Sequence, residues 1–189
     1  MVKKVLLLTA MLLLLAACGD KYEGDFSYEI EDFTYTDQDN QSFSKEALDG
    51  KFWIADMMFT NCNSICPAMT ANMSRLQDML ADEGIDNVEM VSFSVDPTVD
   101  EPEMLKQYIE DRGGDFDNWH ALTGYSNEDI KAFARDSFKA IVEHPDNDDQ
   151  VIHQGFFYLV TPEGNAIKRY SGQEANEMEK IVEDLKAMN

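Results

Sequence analysis

The sequence predicts an α/β layer sandwich, with a central mixed sheet flanked by helices and a small β-hairpin in front of it. Three observations carry this. Short apolar runs alternate with longer amphipathic stretches, the pattern of strands exchanged with helices. Two late apolar runs are separated only by the turn Thr161-Pro162-Glu163-Gly164, which puts an antiparallel pair at the edge of a partly parallel sheet. An apolar run at 52–59 leads through Cys62 and Cys66 straight into a helical pattern.

Taken in order, Phe33, Tyr35 and Phe43 alternate with polar residues around Asp37-Gln38-Asp39-Asn40, which predicts the hairpin. Residues 52–59 read as a buried strand. Residues 67–83 read as a helix, with Met69, Met73, Leu76, Met79 and Leu80 on one face. Residues 88–95 are a second strand, and 102–111 a helix that stops at Gly113-Gly114. Residues 119–122 are a short strand. Ser126 caps a helix reaching about Phe138, with Asp129 completing a capping box. Residues 152–160 and 166–170 are the edge pair, and 174–188 a closing helix. Strand, cysteine motif and helix, with a hairpin later, is the order of the thioredoxin fold. Fold alone does not give function.

Of the 189 residues, the first do not belong to this domain. Lys3 and Lys4 precede an apolar stretch, 5–16, that is too short for a spanning helix. It ends in Leu15-Ala16-Ala17-Cys18, which resembles a bacterial lipobox. The expected organisation is a lipoprotein signal peptide over 1–17, an acidic membrane spacer over 18–30 beginning at a lipidated Cys18, and a thioredoxin-like domain over 31–189. That places the protein on the outer face of the bacterial cytoplasmic membrane, held by acyl chains. The net charge of −22 argues against nucleic acid as a partner, because phosphates need basic neutralisation. The acidic peak Asp146-Asn147-Asp148-Asp149 lacks the glycine and distal Glu of a calcium loop and reads as a solvated turn.

With Cys18 assigned to lipid, Cys62 and Cys66 are the remaining thiols. In an oxidising compartment such a pair forms a disulfide or is kept reduced for a purpose. A bridge between them closes too small a loop to staple a domain. Pro67 suits the first turn of a helix, so Cys66 falls at or near its N-cap, where the partial positive charge favours thiolate. Three residues separate the thiols, a wider loop than the two of a thioredoxin-type reductase, and it can open to let both sulfurs bind one ion. Soft thiolates select Cu(I), zinc or iron–sulfur clusters, and an added imidazole suits copper. The chain has too few cysteines for a cluster and too few soft ligands for structural zinc. Of the three histidines, His153 begins the strongest strand, and the loop before that strand lies beside the cysteines in this kind of fold. His120 reads as a half-buried strand residue and His144 as an exposed loop residue.

Phe59-Thr60-x-Cys62-x-x-x-Cys66-Pro67, Met69-Thr70, Ser94-Val95-Asp96-Pro97-Thr98-Val99-Asp100, Leu122-Thr123-Gly124, and His153 followed by Tyr158-Leu159-Val160-x-Pro162-x-Gly164 together resemble the Sco/SenC family. They run in the family's order across most of the chain. The resemblance implies a membrane-anchored copper protein that helps assemble the Cu(A) centre of cytochrome c oxidase. It implies Cys62, Cys66 and His153 as ligands for Cu(I) or Cu(II), and the apo-Cu(A) domain of subunit II as partner. Asp96, ending the strand beside the cysteine-bearing one, is a candidate for orienting His153 or supplying a fourth ligand. Asp100 is expected to cap the helix that follows, and Met69 and Met73 to pack in the core. Two other readings stand beside copper delivery. The same cysteines can form a redox disulfide, making the protein a thiol–disulfide oxidoreductase that reduces the Cu(A) cysteines without carrying metal. A peroxidase would want an Arg near its cysteine, and Arg75 lies well down the helix.

Overall fold

Residues 52–58 are apolar on both sides of the pleat except at Asp56, and a strand of that kind is at home only inside a sheet covered on both faces. The computed structural model describes residues 22–146 and 148–188 and puts this strand near the centre. The strands are β1 (Tyr28–Glu29), β2 (Thr34–Thr36), β3 (Ser42–Ser44), β4 (Phe52–Met58), β5 (Val88–Ser94), β6 (Trp119–Leu122), β7 (Val142–Glu143), β8 (Ile152–His153), β9 (Phe156–Val160) and β10 (Asn165–Ser171). The helices are α1 (Cys66–Asp82), α2 (Pro102–Glu110), α3 (Asn127–Phe138) and α4 (Glu177–Met188), with a single 3-10 turn at Lys45–Leu48. The main sheet runs β1-β10-β9-β4-β5-β6. β4, β5 and β6 are parallel; β9, β10 and β1 are antiparallel to their neighbours. This is the expected mixed sheet.

The predicted hairpin is β2 paired with β3, Tyr35 opposite Phe43. It is fastened to the main body by a bridge between Thr36 and Thr123. Gly124 makes that approach possible: its φ is +84° and a Cβ there would stand 2.7 Å from Thr36 Oγ1. α3 has the full capping box, Ser126 Oγ accepting from Asp129 N while the Asp129 carboxylate accepts from Ser126 N.

Alternation along β4 sends Trp53 and Asp56 to opposite faces. On the Trp53 face α3 supplies Phe133 and Phe138, which pack among Phe93, Trp53 and Tyr158. α1 packs against α4, burying Met69, Met73, Leu76 and Leu80. Met69 and Met73 are core residues, as their helical spacing predicts.

Four expectations need correction. The 152–160 run is not one strand: Gln154 and Gly155 interrupt it, and β8 leaves the main sheet to pair with β7. The closing helix starts at Glu177, later than residue 174. The packed domain begins before residue 31, because β1 adds to the sheet edge through β10 and Ile30 is fully buried. The spacer expected over 18–30 therefore does not extend through 30. Asp100 does not cap α2; the N-cap is Glu101, and Asp100 turns inward instead. The signal peptide at 1–17 and the lipidated Cys18 lie outside the described residues.

Candidate metal centre

Two chain segments distant in sequence meet at one end of the sheet. β4 delivers the loop 59–65, which runs into α1. β8 arrives from the other side with His153. The Sγ atoms of Cys62 and Cys66 and a ring nitrogen of His153 lie within 4.8 Å of one another. This is the only such cluster of potential metal ligands among the described residues. Both cysteines are free thiols and both are buried.

Cys66 is the first helical residue and Pro67 follows it, so the helix begins without an amide to waste. The Cys66 N–H, one of the orphan donors of the helix start, points at Cys62 Sγ at 3.4 Å. Ser64 Oγ lies 3.7 Å from the same sulfur. Cys62 is therefore the sulfur that receives hydrogen bonds. The Cys66 thiol, His153 and the backbone N–H groups of Ser64 and Cys66 hold its pKa well below the ordinary thiol range, against the opposing effect of burial. The Cys66 thiol moves the other way. Its hydrogen bond to Cys62, its burial, and the charges of Cys62 and Asp56 all push it up. The helix-start N–H of Cys66 aimed at Cys62 Sγ makes Cys62 the sulfur at which the fold favours negative charge.

His153 Nδ1 lies 3.2 Å from the Gln154 carbonyl, and a carbonyl can only accept. Nδ1 therefore carries the proton. Nε2 faces the sulfurs, 3.3 Å from Cys66 Sγ. Nε2 is thus the nitrogen turned toward the site, with the far nitrogen oriented by a carbonyl as in metal-binding imidazoles. The Phe59 ring meets the imidazole edge-on, centroids 5.8 Å apart, and covers the site from the strand side. Trigonal nitrogen and sulfur donors at about 2–2.3 Å from a first-row ion stand roughly 3.5–4 Å apart. The observed cluster needs only small movements to reach that.

Asp96 is not in the cluster. It is buried, and its carboxylate accepts from Thr98 Oγ1 at 3.1 Å. Asp100 has the more central structural role. Its carboxylate accepts from Thr60 N at 3.1 Å, Thr60 Oγ1 at 2.5 Å and Ser94 Oγ at 2.6 Å, pinning the start of the cysteine loop to the end of β5. Burial pushes its pKa up. His120 is the half-buried strand residue expected, stacked on Phe43 and bonded to Glu89. His144 is less exposed than expected: Nε2 donates to the Val95 carbonyl at 2.6 Å, and Nδ1 is buried.

Sequence reading passed over Asp56. It is buried on β4, six residues before Cys62, and accepts from Ser92 Oγ at 2.5 Å; Ser92 Oγ in turn accepts from Trp119 Nε1. Burial raises its pKa to about 6. The signal was available, since a carboxylate inside an otherwise apolar strand is rarely tolerated without a reason.

The SCO1/SenC family model matches residues 23–189. The chain belongs to the SCO1/SenC family. The "SCO1 protein homolog" of Bacillus subtilis is 49% identical over 176 residues, covering 93% of this chain and 91% of that protein. A structure describing a disulfide switch in BsSco, "a member of the Sco family of cytochrome c oxidase assembly proteins", is 47% identical with a TM-score of 0.80, covering 89% of this chain and 98% of that one. Arabidopsis thaliana ScoI with copper bound is 25% identical with a TM-score of 0.71, over 83% and 98% of the two chains. The thioredoxin-like fold of these Sco neighbours is the fold of this chain.

Proposed function

We propose that this chain carries copper on Cys62, Cys66 and His153 and delivers it to the apo-Cu(A) site of cytochrome c oxidase subunit II. The observation that carries the proposal is the convergence of two sulfurs and one imidazole nitrogen within 4.8 Å of one another. Two thiolates and a neutral imidazole form a soft donor set suited to Cu(I), and Cu(II) would add an oxygen or nitrogen. Copper-bound Sco relatives support the choice of metal, and the assembly role described for BsSco supports the choice of partner. In this reading copper is cargo. A receiving thiolate enters the three-coordinate site, Cys62 leaves first from the exposed loop, and the ion passes over by successive ligand exchange. The signal peptide at 1–17 and a lipid on Cys18 would hold the domain outside the cytoplasmic membrane, within reach of subunit II.

The test is to titrate the reduced, metal-free protein with copper and then mix it with the apo receiver domain. Copper should move to the receiver. His153→Ala should weaken Cu(II) binding sharply while leaving the fold intact, because the imidazole is partly exposed at the end of the sheet. An unchanged copper affinity in that variant refutes the assignment.

A second reading rests on the placing of the two sulfurs. Cys62 Sγ accepts from the Cys66 N–H at the helix start and lies beside the Cys66 sulfur, an arrangement suited to disulfide exchange with Cys62 as the attacking thiolate. Cys62 would attack a target disulfide and release one target thiolate. Cys66 would then lose its proton and attack Cys62, releasing the second and leaving the Cys62–Cys66 disulfide. Two electrons pass to the target. Oxidase assembly that survives His153→Ala but fails with Cys62→Ser favours this reading over delivery.

A further inference from the structure

The cysteine loop is held firmly at both ends and lightly in the middle. Thr60 is fixed by Asp100, and Cys66 belongs to α1. Between them, Asn61, Asn63 and Ser64 are exposed. Cys62 is held within its own turn, its N–H donating to the Phe59 carbonyl at 3.4 Å and its sulfur accepting from the Cys66 N–H. Among the described residues, the hydrogen bonds that reach 61–64 from outside 59–66 come from Asp149 and Gln150. Asn61 Nδ2 donates to Asp149 Oδ2 at 3.2 Å. The Gln150 amide does more. Its Nε2 donates to the Asn61 carbonyl at 3.0 Å, and its Oε1 accepts from the Asn63 N–H at 3.2 Å. Nε2 also lies 3.3 Å from Asp149 Oδ1.

Asn61 C=O and Asn63 N–H flank Cys62. One side-chain amide therefore binds the backbone on both sides of that cysteine, as a neighbouring strand would. The partners leave no ambiguity in the amide's orientation, since a carbonyl must face its N–H and an N–H its oxygen. Gln150 itself sits three residues before His153, on the segment that becomes β8. Its bonds thus join the chain carrying the imidazole to the loop carrying the outer sulfur. Cys66 and His153 are placed by a helix start and a strand; Cys62 is held in its turn by the Phe59 carbonyl and the Cys66 N–H, and this latch ties that turn to the His153 segment.

The geometry points to Gln150 as a positioning residue for the metal centre: it fixes the Cys62 limb against the His153 segment and so sets how slowly copper leaves. This rests on the copper reading of the site. Release by ligand exchange has to swing Cys62 away from the ion, and that motion stretches the two bonds Gln150 makes across it. A latch of this kind adds to retention without contributing a ligand.

The full chain is compared with Gln150→Ala and with Gln150→Met, which keeps side-chain length and loses the hydrogen bonds. Each is loaded with Cu(I), and release to an excess of a Cu(I) chelator is followed in time. Both variants should release copper roughly tenfold faster than the parent, as the loss of two partly exposed hydrogen bonds implies. Their metal-free thermal midpoints should fall by only a few degrees, the share of two partly exposed hydrogen bonds, and a larger fall marks general destabilisation in place of a latch. Reduced, metal-free protein gives a readout independent of copper: alkylation of Cys62 by iodoacetamide, mapped by peptide mass, should be severalfold faster in both variants. An unchanged release rate in copper-loaded Gln150→Met overturns the assignment. Should the parent chain take up no copper, the delivery reading fails, and alkylation of Cys62 at the parent's rate in both variants then overturns the latch as well.

Discussion

Replacing Asp56 by Asn removes a buried charge while keeping the shape of the side chain and an oxygen for Ser92 Oγ to donate to. Burial lifts the Asp56 pKa from 3.8 to about 6, with the Ser92 hydrogen bond and the nearby His153 opposing the rise only in part. A carboxyl group with a raised folded-state pKa binds its proton more tightly folded than unfolded. The folded state therefore loses stability as pH climbs from the unfolded value through about 6, and the cost persists above that. At 1.36 kcal/mol per pH unit the full cost is about 3 kcal/mol. The assay is urea unfolding of reduced, metal-free parent and Asp56→Asn at about pH 7.5 and about pH 4.5. The variant should gain on the parent by about 2 kcal/mol more at the higher pH than at the lower, once the residual ionisation at the lower pH is allowed for. Any fixed penalty for the amide cancels in that difference. Because the Asp56 charge also helps hold the Cys66 proton, the variant should titrate Cys66 at lower pH. A stability difference that does not change with pH refutes the reasoning: Asp56 would then not carry a raised pKa in the folded protein.

The split between the thiols predicts that limiting iodoacetamide near neutral pH alkylates Cys62 before Cys66, read by peptide mass; equal labelling or the reverse order contradicts the assignment of the thiolate. Asp100→Ala leaves the Thr60 and Ser94 donors without their buried acceptor and should cost about 3 kcal/mol or more in urea unfolding, while a loss below about 1 kcal/mol would mean that water or a neighbour replaces the carboxylate.

Much of the fold was legible because its signals are local. The buried strand β4, the apolar stripe of α1 and the Ser126–Asp129 capping box each depend on residues a few positions apart. The places where local pattern misled have identifiable causes. Residues 152–160 look like one strand because every position except Gln154 and Gly155 suits β-structure, yet the chain must leave the main sheet to bring His153 to the cysteines. Asp100 sits where a cap would, but the pull of the Thr60 and Ser94 donors turns it inward. Tyr28 and Glu29 carry no strand signal of their own; they pair because β10 offers an open edge.

By itself the sequence determined the chemistry on hand: two thiols at a helix start and one imidazole before a strand, in motifs arranged as in one family. Thiol identity, spacing and helix punctuation are properties of short stretches of chain, and short stretches can be read directly. Only the tertiary structure decided which of those groups meet and in what state. The His153 Nδ1 contact with the Gln154 carbonyl, the hydrogen bond onto Cys62 Sγ, the buried Asp56 and the Gln150 amide astride Cys62 all depend on how the folded chain places these atoms. Their energies depend on burial and on the orientation of partners far along the chain, and neither is written in any local pattern.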